Sequence, residues 1–499
     1  MIPLSFAQQR LWFIEQLEGP SALYNTPFAV RLTGAIDTAA LTLALRDVLT
    51  RHEVLRTTFP ATDGRPQQSI AEPDSPAVRS AAVVAEPVAD EAELSVRLDA
   101  AMRHVFDLAT ELPVRCGLFS LSDQEHVLLV LMHHIASDAW SVPPLFRDLD
   151  AAYRARLADT APQWEPLPVQ YADYTLWQRE VLGAEDDPES QLSTQLAYWK
   201  GALAEAPEEL DLPRDRPRPS APSHRGGSAV LSLDAELHAA LARLAAEERA
   251  SLFMVLQAAV ATLYTRLGAG TDLPLGTAVA GRTDEALDDL VGFFVNTVVL
   301  RTDTSGDPTF RELLERVRRT VLDAFDHQDV PFERLVEQLN PARLPARHPL
   351  FQTMVTLDSD EDLPADFAGH SCREYVLEQH LAKFDLSFAF VEQHDADGAA
   401  NGLTGAVEYA ADLFDHATAA TLGERLARVL RAAATDPDAP IGAIEVLGPA
   451  ERAQLLSGRH GPVAALPTGA VPELFEARAA ATPEAVALVA GPETRTYGE

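Results

Sequence analysis

Apolar positions recur along this chain with two periods, one helical and one alternating. Ser5-Phe6-Ala7-Gln8 has the form of a capping box, and the segment it opens predicts a helix to about Glu18, stopped by Gly19-Pro20. Between Thr38 and His52, Leu41, Leu45, Val48 and Leu49 share one helical face. Val54–Phe59 reads as a strand. Val127–Leu131 is too short for a helix and too continuously apolar for a surface strand, which predicts a strand buried on both faces. Leu145, Leu149, Tyr153 and Leu157 recur every four residues behind Ser141, the expected cap of another helix.

The pattern changes between about Ala206 and Gly227, where Pro213-Arg214-Asp215-Arg216-Pro217-Arg218-Pro219 reads as a stiff, extended connector. A second mixed region follows. It predicts a helix from Ser251 to about Leu267, strands near Leu273–Ala280 and Val291–Leu300, and a helix from Thr309 to Asp326. A strand near Phe351–Leu357 and a helix from Thr418 to Ala433 complete it. Ser457–Gly469, rich in Gly, Pro and Ala, reads as a linker, and a new pattern starts near Val471. The expected fold class is α/β (α+β).

A length of 499 residues exceeds one ordinary core and suggests roughly three units. The net charge of −35 argues against nonspecific nucleic-acid binding, while leaving room for a local arginine cluster to receive a phosphate-bearing partner. Cys116 and Cys372 are the only cysteines, too few for a disulfide framework or a repeated zinc pattern. No apolar run approaches the roughly 20 residues of a membrane span, and Met1-Ile2-Pro3-Leu4-Ser5 lacks a secretory leader. A cytoplasmic, monomeric protein without nucleic-acid or membrane partners is expected.

The chemistry concentrates in Met132-His133-His134-Ile135-Ala136-Ser137-Asp138-Ala139-Trp140-Ser141, directly after the buried strand. Successive strand side chains face opposite ways, so one histidine can face a cavity while the other is packed. The same geometry argues against a metal site, because neighbours on a strand cannot easily chelate one ion. Read alone, the pair fits a catalytic histidine or a structural one equally.

Six further polar-aromatic clusters flank this one: Ser5–Phe13, Arg51–Phe59, Tyr171–Arg179, Val291–Thr297, His327–Val336 and Arg347–Gln352. Each alone has a plain structural reading. In this order, they resemble the condensation domains of nonribosomal peptide synthetases over about residues 3 to 450. Residues 471–499 resemble the opening of the adenylation domain that usually follows.

The resemblance implies two chloramphenicol-acetyltransferase-like lobes forming a V-shaped pseudo-dimer with a central tunnel. The expected divisions are an N-terminal lobe (1–178), a C-terminal lobe (179–448), a linker (449–470) and the adenylation start (471–499). The implied reaction is attack of an acceptor amine on a donor thioester. Both substrates would ride on 4'-phosphopantetheine arms of donor and acceptor carrier proteins, with no cofactor or metal of the domain's own. By motif position His134 is the active histidine, as base or as positioner of the amine, and His133 packs behind it. Asp138 is structural and pairs with an arginine, Arg282 before Arg56. Asn296, Ser141 and Trp140 fall where the family forms its tunnel and lobe contact.

The family has Gly where this chain has Ala139. If that position needs φ > 0, Ala carries a penalty of about 1–2 kcal/mol. Two other outcomes stay open: an ester-forming variant, and a noncatalytic domain that docks carriers or tailoring enzymes. Retention of His134 and Asp138 favours catalysis. The Tyr24-Asn25-Thr26-Pro27 and His134–Asp138 segments lean toward a D-configured donor.

Overall fold

The computed structural model describes residues 2–341, 346–359, 365–378, 380–395, 397–457 and 469–499. They fall into two compact units, Met1–Val446 and Leu447–Glu499. The first holds two six-stranded mixed sheets. In the first sheet the order is Asp366–Phe367, His370–Glu374, Asn25–Thr33, Glu125–His133, Val114–Ser122 and Val83–Pro87. In the second it is Asn296–Asp303, Asp272–Val279, Thr353–Ser359, Leu386–His394, Ala400–Ala410 and Gly226–Leu233.

The strand Glu125–His133 is central and covered on both sides, which explains its unbroken apolar run. Leu128 and Val130 pack with Leu41, Leu45, Phe146 and Leu149 of the helices Thr38–Arg51 and Val142–Leu157. Val127 and Leu129 pack with Leu94 and Leu98 of the helix Glu91–Met102. The last residue of this doubly anchored strand is His133.

Local end signals act where the sequence places them. Ser5 and Gln8 close a reciprocal capping box on the helix Phe6–Glu18, and Thr309 and Glu312 do the same on Phe310–Phe325. The apolar helix behind Ser251 runs Leu252–Arg266. The helix expected over Thr418–Ala433 extends to His416–Thr435.

Three expectations need correction. Val54–Phe59 is not one strand but a 3-10 turn, Glu53–Arg56, followed by the two-residue strand Thr57–Thr58. There the Thr57 hydroxyl donates to the Glu53 carbonyl at 2.7 Å and closes the turn. The strand expected from Val291 begins only at Asn296, because side chains of the first half take the amides before it. Ser141 precedes the helix Val142–Leu157 without capping it, since its hydroxyl is engaged elsewhere.

The expected boundary at 178/179 falls inside the helix Tyr171–Leu182. The strand His370–Glu374, beyond that boundary, pairs with Asn25–Thr33 of the first sheet. In the second unit, Pro449–Ser457 is helical although placed in the expected linker. Residues 458–468, half of that linker, lie outside the described residues. From Val471 the chain forms the helix Val471–Ala481 and the antiparallel pair Val486–Ala490 and Glu493–Thr496. Among the described residues no helix is long and apolar enough to cross a membrane.

Candidate active site

Where the strand Glu125–His133 ends, the chain makes a 3-10 turn, His134–Ala136, held from several sides. The His134 amide donates to the Tyr24 carbonyl at 2.8 Å. Gln8, fully buried, donates its side-chain amide to the Ile135 carbonyl at 3.2 Å. The His134 ring is only partly buried and packs on Phe293, with 4.6 Å between ring centres.

His134 Nδ1 lies 2.6 Å from the Ser137 carbonyl oxygen. A carbonyl only accepts, so Nδ1 carries the proton and Nε2 keeps its lone pair. Burial pushes the imidazole down to about 3, and the positive charge of Lys383 adds to the effect. At physiological pH the ring is neutral and offers an acceptor at Nε2.

His133 is 6% exposed. Its Nδ1 accepts the Ile135 N–H at 3.1 Å, and its ring meets the edge of Phe106. It is a buried cap of the turn that carries His134. Burial, and again Lys383, hold it at about 3.

Asp138 gathers the loop from the second half of the chain. Its Oδ2 accepts the Phe294 and Val295 amides at 2.9 and 3.2 Å. Its Oδ1 meets the Ser141 hydroxyl at 2.8 Å and Arg282 Nη2 at 3.4 Å. Burial pushes its carboxyl up from the ordinary range, against the pull of Arg282 and these donors. Arg282 lies over the Phe294 ring and donates to the Leu287 and Leu290 carbonyls. Just before it, Gly281 has φ +65°, and a Cβ there would stand 2.1 Å from the Phe294 carbonyl oxygen. Only glycine fits that approach.

Ser141 Oγ also lies 3.1 Å from the Gly292 amide and 2.9 Å from its carbonyl, so it contacts the other half as well as Asp138. Arg56 is elsewhere: it pairs with Glu53 and donates to the Ala71 carbonyl. Ala139 and Trp140 are exposed. Ala139 opens a 3-10 turn, and its φ is not positive, so the strain considered for a non-glycine residue is absent. Asn296 spends its side chain on its own half, donating to the Gln328 and Val330 carbonyls at 2.7 Å each and accepting the Phe332 amide.

Other groups at the site lie in the polar-aromatic clusters of the sequence, which assigned them no individual role. His52 Nε2 bonds Asp148 at 2.8 Å, and its Nδ1 receives the Val291 amide. The Tyr171 hydroxyl donates to the Phe293 carbonyl at 2.6 Å. Phe293 also walls a cavity of about 310 Å³ lined by Phe6, Arg10, Tyr174, Trp177 and Glu333. Arg10 and Glu333 form an ion pair there at 3.4 Å.

Away from this site, His238, Glu392 and His394 bring potential metal ligands within 4.8 Å of one another. His238 Nδ1 accepts the Gly402 amide, which leaves the proton of the neutral ring on Nε2, 3.0 Å from Glu392. That donor geometry fits a hydrogen bond and occupies the nitrogen a metal would need.

The fold and this site define a class: a mixed α/β protein with a polarised histidine at the end of a buried strand. The condensation-domain family model matches residues 1–456. A dimodular nonribosomal peptide synthase of Bacillus subtilis (strain 168) is 49% identical over 498 residues, covering 100% of this chain and 21% of that protein. The chain therefore spans about a fifth of that relative. The X-domain from teicoplanin biosynthesis has 40% identity and a TM-score of 0.82, covering 89% of this chain and 98% of that one. The same domain in complex with OxyB gives 40% identity and a TM-score of 0.82, covering 90% and 96%. This chain belongs to the condensation-domain family of nonribosomal peptide synthetases.

Proposed function

We propose that this domain joins a donor acyl thioester to an acceptor amine, each delivered on the 4'-phosphopantetheine arm of a carrier protein. The observation that carries this reading is the His134 ring fixed through Nδ1, which leaves the Nε2 lone pair unengaged among the described residues. The acceptor amine donates a hydrogen bond to Nε2, which aims its own lone pair at the acyl carbon. Nitrogen–carbon bond formation and carbon–sulfur cleavage then give the amide and the free thiol. A ring held near 3 is a poor place to park a proton, which supports orientation of the amine over a full proton transfer. With two tethered reactants, orientation alone is powerful: effective molarities reach about 10⁵–10⁸ M.

Asp138 and Arg282 serve this reading by fixing the 290–295 segment that supports Phe293 against His134. Residues 471–499 are read as the opening of an adenylation domain that supplies the acceptor, and the setting as cytoplasmic. The likeness to an X-domain solved with OxyB supports a second reading, a domain that recruits a tailoring enzyme.

The two readings part in a reconstituted assay with a peptidyl-loaded donor carrier and an aminoacyl-loaded acceptor carrier, followed by intact-protein mass spectrometry. D- and L-terminated donors and a hydroxyacyl acceptor are compared. Transfer that requires His134 supports condensation. Carrier binding without transfer from either donor favours recruitment.

A further inference from the structure

Lys383 is one of only two lysines in the chain, the other being Lys200. It precedes the strand Leu386–His394 of the second sheet. From there its ammonium reaches the first half and stands 5.4 Å from the centre of the Tyr24 ring. Tyr24 is the residue whose carbonyl fixes the His134 amide. The charged and titratable groups around the ammonium are Glu408 on Ala400–Ala410, Arg10 on Phe6–Glu18, and His133 and His134 themselves. Among the described residues no carboxylate is within ion-pairing distance of it; Glu408 acts only from farther away. The side chain is nevertheless open to solvent.

An ammonium without a counter-ion among the described residues is free to answer negative charge that develops beside it. Here its charge reaches the histidine at which the amine is aimed, from a segment in the other half of the domain. The attack leaves negative charge on one atom, the acyl oxygen, for which the residues around His134 offer no other free cation among those described.

We propose that Lys383 is a catalytic residue whose ammonium donates a hydrogen bond to the acyl oxygen as it becomes the tetrahedral oxyanion. This rests on the amide-forming reading above. The amine nitrogen bonds to the acyl carbon, and the carbonyl π pair moves onto oxygen beside Lys383. Collapse restores the carbonyl and expels the thiolate, which takes the proton that nitrogen gives up. Lys383 keeps its own proton throughout. Loss of one oxyanion donor typically slows a reaction by about 10²–10³-fold.

The test is single-turnover transfer between loaded carriers, measured from pH 6.5 to 9.5 for the parent, Lys383→Met and Lys383→Arg, with melting temperatures alongside. Burial lowers the Lys383 ammonium to about 8, with Glu408 opposing and Arg10 reinforcing. The parent rate therefore falls above about pH 8, while the nontitrating guanidinium of Lys383→Arg removes that fall. Lys383→Met is expected to be about 10²–10³-fold slower while folded. The proposal is overturned by a folded Lys383→Met at the parent rate, by Lys383→Arg no faster than Lys383→Met, or by an alkaline fall that Lys383→Arg keeps. If Lys383→Met does not fold, the Lys383→Arg profile decides. A parent that transfers nothing overturns the amide-forming reading, and this one with it; an active parent with indifferent Lys383 variants overturns this one alone.

Discussion

Asp138 and Arg282 are 144 residues apart in sequence and meet at 3.4 Å, the carboxylate 1% exposed. The same carboxylate also receives two backbone amides from the second half. Replacing Asp138 by Ala leaves a buried guanidinium and two amides unanswered. Such losses cost about 3–5 kcal/mol. Asp138→Ala is therefore expected to lower the melting temperature sharply and activity with it, as calorimetry would show. A variant with parental stability would rule out the structural role.

His134 differs from its neighbour in what depends on it. Among the described residues no group engages Nε2, and Nδ1 donates only to the Ser137 carbonyl. His134→Ala should keep the fold and slow amide formation by about 10²–10⁴-fold. Undiminished transfer by a folded variant would refute the assignment.

His133 makes a statement about acid stability. Its folded value of about 3 lies below the ordinary 6.5, so the unfolded chain binds the extra proton. Stability from this group is complete above 6.5 and is lost as pH falls toward 3, by about 1.4 kcal/mol per unit once well below 6.5. His133→Asn, whose side-chain oxygen can accept the Ile135 amide, removes the titration. Denaturant titrations at pH 7.5 and 5.5 should show the variant losing less stability than the parent over that interval. Equal losses would contradict the burial argument.

Ala139 lies in a right-handed turn, so glycine relieves no strain there. Ala139→Gly should leave transfer at the parental rate and cost up to about 0.5–1 kcal/mol through added freedom of the unfolded chain. A gain in stability would mean that the turn is strained after all.

The sequence made the local features readable. The capping box at Ser5 acts within three residues, and the Val127–Leu131 run reports burial on both faces directly. What it hid is long-range. Val291–Val295 looks like a strand because its side chains are apolar, yet its amides are spent on His52, Ser141 and Asp138. The resemblance ranks Arg282 before Arg56 as the partner of Asp138, and the fold shows the contact, with Arg56 paired to Glu53 instead. Lys383 belongs to no pattern with a spacing of its own, so only its position beside Tyr24 marks it.

The strand His370–Glu374 sits at the first sheet on the far side of Asn25–Thr33 from Glu125–His133. Recombination between relatives that breaks near residue 178 would combine Asn25–Thr33 from one parent with a neighbouring strand from the other. The pairing of Arg31 with Arg373 and Leu32 with Cys372 would then join surfaces never selected together. The unit that keeps this sheet whole is accordingly Met1–Val446, and an exchange that preserves the pairing takes it intact.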